Sequence, residues 1–237
     1  MTNRDAPFLG ILALDTVFPR IRGDVGNPAT YPMPVRIRVV EGAGAERIVA
    51  DAPPPPALAE AFRDAARALK RDGARLVVST CGFLVHLQDE VAGAVRVPVM
   101  LSPLPLWPVL RRAAGGRPVG ILTASRAALG PRTLRAAGLP PEAAAFVAGM
   151  EDEPAFRDAF LAPKAQQACT LEEGRIEAAA VARARALQDR WPDTAGLILE
   201  CGNLPPYAPA IRRATGLPVH HLPGVVRLLW DGAEPEA

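Results

Sequence analysis

Two cysteines, each followed by glycine, lie at equivalent positions in two similar stretches of the chain. Cys81 follows the apolar run that starts at Leu76, and Cys201 follows the apolar run that starts at Leu197. Each cysteine also precedes a Pro-Val pair by the same number of residues. This repeat predicts a unit used twice, with a strand, a Cys-Gly turn, a helix and a new strand. Because the helix dipole and free amides stabilise a thiolate at a helix N-terminus, we expect two reactive thiols.

Paired thiols suggest proton transfer at a carbon atom. If the two related halves of the chain face each other, Cys81 and Cys201 lie on opposite sides of one ligand. One cysteine, as thiolate, then removes a proton, and the other, as thiol, returns a proton to the opposite face. This arrangement suits inversion of a stereocentre, and exclusion of water would strengthen the electrostatic contacts to the developing carbanion.

Composition narrows the class of protein. The 237 residues carry 27 basic and 25 acidic side chains for a formal net charge of +2, so nothing indicates a nucleic acid or an anionic membrane as partner. The three cysteines provide no disulfide framework, which predicts a reducing compartment, and we expect a cytoplasmic protein. No window approaches the roughly 20 apolar residues that span a bilayer. The expected partner is a small-molecule carboxylate, and a homodimer stays an open alternative.

Short apolar runs alternate with amphipathic stretches, as in a parallel sheet with helices on both faces. The predicted strands are 8–14, 35–40, 75–79, 97–101, 118–122, 144–148, 195–200 and 217–220. The predicted helices are 57–71, 83–94, 105–114, 126–137, 154–161, 171–190, 206–214 and 225–230. Ligands of such sheets bind beyond the carboxyl ends of the strands, which here carry Asp15, Thr16, Cys81, Thr123 and Cys201. We expect these residues to face one cleft.

Five segments of the chain form a pattern that is typical of a known superfamily. They are Leu14 to Thr16, Gly23 to Thr30, Ser79 to Phe83, Val119 to Ala124 and Glu200 to Tyr207. Through them the chain resembles the cofactor-independent aspartate/glutamate/hydantoin racemase superfamily over nearly its whole length. The resemblance implies an α/β fold of two pseudo-symmetric flavodoxin-like (Rossmann-like) domains, with mainly parallel sheets and an active site in the interdomain cleft. It implies a first domain of residues 1–101 with 205–237, and a second domain of residues 102–204.

The same resemblance implies the active-site residues. Cys81 and Cys201 become the acid/base pair, and they act without pyridoxal phosphate or metal, so no cofactor is expected. Asp15 and Thr16 match the acidic-plus-hydroxyl step beside the first cysteine of the family. With the residues at strand ends, turns and loops, the expected substrate-binding residues are Asp15, Thr16, Asn27, Thr80, Gly82, Thr123, Gly202 and Asn203. The leading prediction is a racemase or epimerase of an amino acid such as aspartate or glutamate, of a related carboxylate, or of a hydantoin.

The residues after the cysteines depart from the pattern of amino-acid racemases. Those enzymes typically have Asn-Thr after the first cysteine and Thr after the second, whereas this chain has Gly82-Phe83 and Gly202-Asn203. Backbone amides at the glycines offer another way to hold a carboxylate. Decarboxylation or cis-trans isomerisation of a dicarboxylate, as in arylmalonate decarboxylases and maleate isomerases, is therefore a second prediction. A non-catalytic protein that closes on a small carboxylate is a third.

Other titratable residues have simpler interpretations. Cys169 lies in a polar connection outside both repeats, and we expect it to be non-catalytic. His86, His220 and His221 lack the close spacing of zinc ligands, so no metal site is predicted. No glycine-rich stretch joins a strand to a helix with the dinucleotide-binding spacing, so no nucleotide cofactor is expected.

Overall fold

Two parallel four-stranded sheets form the framework of the protein. The computed structural model describes residues 6–232. The strands are β1 (Phe8–Ala13), β2 (Val35–Val39), β3 (Ala74–Ser79), β4 (Val99–Met100), β5 (Val119–Thr123), β6 (Val147–Gly149), β7 (Gly196–Leu199) and β8 (Val219–His221). They pair in the order β2-β1-β3-β4 in the first sheet and β6-β5-β7-β8 in the second. The predicted α/β fold with two similar parallel sheets is confirmed.

Helices flank both sheets. They are α1 (Ala45–Ile48), α2 (Pro56–Arg71), α3 (Gln88–Ala94), α4 (Leu106–Ala113), α5 (Pro131–Ala136), α6 (Pro154–Phe156), α7 (Glu173–Arg190), α8 (Ala208–Thr215) and α9 (Leu222–Asp231). The helix predicted from residue 126 begins only at Pro131, because proline fits the first helical position and Gly130 precedes it in an extended conformation. Within residues 6–232, none of the helices combines the length and apolar character that crossing a bilayer requires.

The two sheets repeat the same strand pairing around the two cysteines. Val77 of β3 pairs with Val99 of β4, and the same step of the second sheet pairs Leu197 of β7 with Val219 of β8. The two strands that begin at the Pro-Val pairs, β4 and β8, therefore occupy equivalent positions in the two sheets. The repeat that the sequence predicts is thus present in the structure.

Alternating side chains of the first sheet pack on opposite helices. Leu76 and Val78 of β3 are buried in a cluster with Val226 and Trp230 of α9. Val77, which lies between them, is buried in the larger core, to which α2 contributes its apolar face. Side chains of a strand point alternately to its two faces, so a strand that is apolar throughout needs cover on both sides.

The C-terminal segment divides between the two sheets. β8 pairs with β7 in the second sheet, whereas α9 packs on β3 of the first sheet. The predicted first domain includes all of residues 205–237. Strand pairing instead places β8 in the second sheet, so the chain returns to the first sheet only at Leu222, where α9 begins. The physical reason is that the second Cys unit ends in a strand that continues its own sheet. Residues 1–5 and 233–237 of the predicted first domain lie outside the described residues.

The two halves meet at the glycines that follow the cysteines. A Cβ atom added to Gly82 would lie 2.6 Å from the backbone oxygen of Glu200, and one added to Gly202 would overlap the backbone oxygen of Thr80. Each glycine therefore packs on the residue that precedes the other cysteine. The sequence prediction gave these glycines a ligand-binding role through their amides, and the structure shows that close approach of the two turns also requires them.

We expect Gly202→Ala to lower the free energy of unfolding by about 1–3 kcal/mol, because backbone atoms must move apart to admit the methyl group. The neighbouring atoms belong to the Thr80 carbonyl group, which has no rotamer to change. Urea unfolding followed by circular dichroism measures the loss.

Gly174→Ala is the matched control, since it lies in α7 with open space around its Cα. That helical substitution should stabilise the protein by about 0.5–1 kcal/mol. Equal stability of the two variants would show that the halves are not in close contact at Gly202.

Candidate active site

A small cavity lies between the two Cys-Gly turns, at the carboxyl ends of the central strands. Its lining residues are Leu14, Thr16, Phe18, Arg20, Ala45, Val49, Thr80, Cys81, Phe83, Ala124, Phe160, Leu161, Glu200, Cys201 and Asn203. The cavity has a volume of about 20 Å³. That is room for about one water molecule, so a substrate of several atoms requires the lining to part.

The Cys81 thiol is held at the cavity wall by the turn that follows β3. The Cys81 carbonyl oxygen accepts hydrogen bonds from Ser79 Oγ at 2.8 Å and from the Leu84 amide at 3.1 Å. The chain then continues as a 3₁₀-helix, Gly82–Leu87, before α3 begins at Gln88. The predicted helix from residue 83 thus starts as a tighter 3₁₀ segment.

Cys201 has a hydrogen-bond acceptor of its own. Its thiol donates to Asn203 Oδ1 at 3.5 Å, and Asn203 Nδ2 donates to Asp24 Oδ2 at 2.7 Å. Asp24 belongs to the loop after β1 and Cys201 follows β7, so this chain of contacts links the two halves. Asn203, one of the predicted substrate-binding residues, lies in the cavity and orients the Cys201 thiol.

Both thiols are protonated in the closed cavity. Burial first and the nearby Glu200 carboxylate second raise the pKa of Cys81 to about 12, although backbone amides and the Arg20 charge act to lower it. Burial first and Glu200 second also raise the pKa of Cys201 well above its ordinary value. The expected stabilisation of thiolates by the helix entrances is therefore wrong for this closed state, because desolvation and a neighbouring negative charge outweigh the backbone amides.

Glu200 is a buried acid that the sequence reasoning did not include in the site. It is 1% exposed, and its Oε2 accepts a hydrogen bond from Thr123 Oγ1 at 2.7 Å. Among the described residues, Oε1 has no hydrogen-bond partner. Burial raises the pKa of Glu200 to about 7, while the Thr123 hydroxyl and the Ala124 amide limit the rise. An acidic residue at the end of an apolar strand was the signal in the sequence.

Glu200 stands where the first half has Thr80. Both residues precede a cysteine, and both accept a hydrogen bond at the end of the neighbouring strand: Thr80 Oγ1 from the Leu14 amide at 3.1 Å, and Glu200 Oε2 from Thr123 Oγ1 at 2.7 Å. The two halves are therefore alike in backbone and different in chemistry at this position.

Arg20 is the second residue that the sequence reasoning missed. Its guanidinium group donates to Asp24 Oδ1 at 2.9 Å and to Thr16 Oγ1 at 3.1 Å, and it lies over the Phe18 ring. It also lowers the pKa of Cys81 by its positive charge. Among the described lining residues it is the one basic side chain. An arginine in such a position suits recognition of a carboxylate.

Five of the predicted substrate-binding residues, among them Asp15, Asn27 and Thr123, lie outside the cavity lining. The Asp15 carboxylate accepts hydrogen bonds from the Gly42 amide at 3.0 Å and from Lys164 Nζ at 2.5 Å. The Thr123 hydroxyl donates a hydrogen bond to Glu200, which itself lines the cavity. Asn27 caps the short helix at Pro28–Thr30 and donates to the Arg20 carbonyl oxygen at 2.7 Å. Asp15 and Asn27 thus hold the loops around the site.

The remaining predicted residues lie at the cavity or beside it. Thr16 and Thr80 line it, and Gly82 and Gly202 form the contact between the halves. The loop after β1 is covered by the segment after α6, since Phe18 packs edge-to-face on Phe160 with ring centroids 4.9 Å apart.

No metal-binding cluster is present in residues 6–232. Groups of three or more His, Cys, Asp or Glu side chains with suitable geometry are absent from that part of the chain. His86 lies away from the cavity lining, and its Nε2 is 2.9 Å from Thr133 Oγ1. Cys169 is exposed and lies away from the cavity lining.

Sequence comparison finds relatives that carry the name dimethylsulfoniopropionate lyase. The protein of that name from Durusdinium sp. clade D is 31% identical over 219 residues, which cover 90% of this chain and 70% of that protein. Dimethylsulfoniopropionate lyase 7 of Emiliania huxleyi is 29% identical over 222 residues, and the chain spans 63% of its length. The chain spans 44% of the length of lyase 5 from the same organism. No protein-family model matches the chain.

Structure comparison finds enzymes with the same fold. Unliganded arylmalonate decarboxylase matches with a TM-score of 0.56 and 18% identity, over 98% of this chain and 95% of that chain. An aspartate racemase homologue from Pyrococcus horikoshii matches with a TM-score of 0.55 and 16% identity, over 96% and 99%. The fold expected from the resemblance to the racemase superfamily is confirmed. The relatives support an enzyme, but because a lyase is not an isomerase, they do not confirm the predicted racemase.

We expect the free energy of unfolding to fall as pH rises from about 4.5 to about 7 because of Glu200. Its pKa is about 7 in the folded protein against an ordinary value of 4.5, so the folded state keeps a proton that the unfolded chain has lost. The contribution is fully favourable below pH 4.5 and lost above pH 7. The difference between the two pKa values corresponds to about 3 kcal/mol.

Urea unfolding across that pH range tests this expectation. Glu200→Gln should lack this component of the pH dependence and be more stable than the wild type above pH 7. Glu151→Gln is the control, because Glu151 also has one hydrogen-bonded and one unpartnered oxygen but lies outside the cavity. The idea is wrong if Glu200→Gln keeps the wild-type slope.

Proposed function

Because the chain belongs to the family of the dimethylsulfoniopropionate lyases, we propose that it removes the α-proton of a small carboxylate and eliminates a neutral leaving group from the β-carbon. The proposed substrate is a zwitterion with a carboxylate at one end and a β-sulfonium group at the other, such as 3-dimethylsulfoniopropionate. The observation that carries the proposal is the placement of Arg20 and both thiols in one small, mainly apolar cavity.

Arg20 recognises the carboxylate of the substrate. Its planar guanidinium group is held by Asp24 and Thr16, which leaves it oriented rather than free to rotate. A carboxylate paired with arginine also makes the α-proton easier to remove, because positive charge stabilises the enolate that forms. The effect of Arg20 on the pKa of Cys81 supports its nearness to that thiol.

A cysteine thiolate then removes the α-proton. The electron pair of the broken C–H bond forms the double bond between the α- and β-carbons. The bond between the β-carbon and sulfur breaks, and its electron pair stays on sulfur. With 3-dimethylsulfoniopropionate the products are acrylate and neutral dimethyl sulfide, and the proton remains on the enzyme.

The apolar lining suits this reaction. Phe18, Phe83 and Phe160 line the cavity together with aliphatic side chains. Aromatic rings attract onium groups, whose charge is spread over methyl groups. Elimination converts that cation into a neutral sulfide, which an apolar cavity accommodates better than water does. The lining thus favours the charge change that the reaction makes.

Racemisation is the second candidate, and the equivalent positions of the two cysteines favour it. Its first step is the same removal of an α-proton. The second step differs, because the other thiol returns a proton to the opposite face. Elimination needs one base, whereas racemisation needs both thiols.

Proton NMR in deuterated water separates the two reactions. With 3-dimethylsulfoniopropionate we expect olefinic signals of acrylate to appear, and with L- or D-aspartate and L- or D-glutamate we expect no loss of the α-proton signal. Replacing the cysteine that acts as base by serine should lower the elimination rate by about 10²- to 10⁴-fold. The other Cys→Ser variant should retain most of the activity, as should the exposed-site control Cys169→Ser.

Loss of the α-proton signal with an unchanged carbon skeleton, abolished by either Cys81→Ser or Cys201→Ser, would instead establish racemisation. Absence of both signals in a folded sample would contradict carbanion chemistry on these substrates.

Arg20→Ala should lower kcat/KM for elimination by about 10- to 100-fold, as expected for the loss of a charged hydrogen bond. The effect should fall on both KM and kcat, because Arg20 binds the carboxylate and its positive charge also stabilises the enolate that forms. Steady-state acrylate release measures it.

Arg22→Ala is the matched control, since Arg22 is exposed and absent from the cavity lining. An unchanged KM in Arg20→Ala together with normal folding would remove Arg20 from substrate recognition.

A further inference from the structure

The buried oxygen of Glu200 without a hydrogen-bond partner is a group that the proposed elimination leaves unused. Glu200 lines the cavity that contains both thiols, and its side chain lies against Gly82, the residue after Cys81. A carboxylate oxygen that is excluded from water and unpaired is costly, so such an atom in a cavity calls for an explanation. We propose that Glu200 accepts the proton of the Cys81 thiol and thereby generates the base of the reaction.

The two thiols differ in their hydrogen bonding. The Cys201 thiol donates a hydrogen bond to Asn203 Oδ1, and Asn203 Nδ2 donates a hydrogen bond to Asp24 Oδ2. No comparable acceptor for the Cys81 thiol is found within residues 6–232, and the free Glu200 oxygen lies beside the turn that Cys81 begins. This difference assigns the base to Cys81 and leaves Cys201 as a thiol.

Glu200 and Cys81 share one negative charge. The Glu200 carboxylate raises the pKa of the buried Cys81 thiol, so the state with both groups ionised is disfavoured. Transfer of the thiol proton to Glu200 turns a thiol and a carboxylate into a thiolate and a carboxylic acid, and the total charge does not change. A buried pair can make this exchange without taking a proton from water.

Other charged and polar groups around Glu200 and Cys81 also affect the transfer of the proton between them. Arg20 lowers the pKa of Cys81 and therefore favours the thiolate. Asp24 is already paired with Arg20 and bonded to Asn203. The Thr123 hydroxyl donates to Oε2 and leaves Oε1 to receive the proton. The carboxylate of a substrate bound to Arg20 is the remaining charged group near Glu200 and Cys81.

The proton balance connects this inference to the proposed function, on which its catalytic part rests. Glu200 receives the thiol proton, and the Cys81 thiolate receives the α-proton of the substrate. After elimination the carboxylic acid of Glu200 releases its proton to solvent when the cavity opens. In this sequence of steps Glu200 acts through the Cys81 thiol.

Alkylation of the thiols tests the proton transfer without any substrate. The wild type and Glu200→Gln are treated with iodoacetamide or the smaller methyl methanethiosulfonate at pH 6 to 9, and each cysteine is followed by peptide mass spectrometry. In the wild type the rate at Cys81 should rise to about pH 7 and then level off, because the pair holds one charge above that pH. In Glu200→Gln the rate should rise about 100-fold between pH 7 and pH 9, as for an isolated thiol.

Two controls define the result. Exposed Cys169 provides the reactivity of an ordinary thiol in the same sample. Glu151→Gln should reproduce the wild-type profile, since that acid lies outside the cavity. Parallel profiles of Cys81 in the wild type and Glu200→Gln would overturn the proposal, and so would absence of reaction at Cys81 in both.

The rate of elimination gives the second measurement. In the wild type, kcat/KM should increase up to about pH 7 and then level off, and in Glu200→Gln it should keep rising to pH 9. If alkylation shows the plateau but no acrylate is formed, the proton transfer stands and the proposed reaction fails. If acrylate forms with the same pH profile in both proteins, the reaction stands and the role of Glu200 fails.

Discussion

Close contact between the two Cys-Gly turns is the constraint on which the site depends. Gly82 packs on Glu200 and Gly202 packs on Thr80, so each turn lies on the residue before the other cysteine. A side chain at either glycine would push the two sheets apart. Because the contact is made by backbone atoms, it fixes the distance between the halves more firmly than contacts between flexible side chains would. The cavity, both thiols and the buried acid all follow from it.

The small size of the cavity decides the electrostatics of the site. Both thiols and Glu200 are removed from water, and burial is the largest cause of the raised pKa of each. A helix entrance does not offset this effect here, since Cys81 is followed by the 3₁₀-helix Gly82–Leu87, and after Cys201 a 3₁₀-helix begins only at Pro205. Reactivity must therefore come from charges inside the cavity. Arg20 and Glu200 supply charges of opposite sign beside the same pair of thiols.

Much of the fold could be predicted from the sequence because the relevant signals are local. Apolar runs gave the strands, and the repeat around Cys81 and Cys201 predicted two matching sheets. Position after a strand places a residue at the correct edge of a sheet, but it does not fix the direction of the side chain. Asp15 shows this limit, because its carboxylate binds Lys164 and the Gly42 amide rather than lining the cavity.

The roles of Glu200 and Arg20 could not be predicted in the same way. Each depends on contacts between segments that are distant in sequence, such as the packing of Glu200 on Gly82 and the link from Arg20 through Asp24 to Asn203. Sequence spacing carries no information about such contacts. Single-sequence reasoning therefore found the two residues that repeat and missed the two that occur in one half only.

This difference between the halves bears on the chemistry. A two-base racemase must run in both directions, so its two thiols exchange the roles of acid and base. Here the thiols share a backbone frame but have unequal surroundings, since Thr80 precedes one and Glu200 precedes the other. Elimination uses one base and is served by such inequality, because a single thiol has to be ionised. The same frame thus suits inversion when its halves are chemically equal and elimination when they are not.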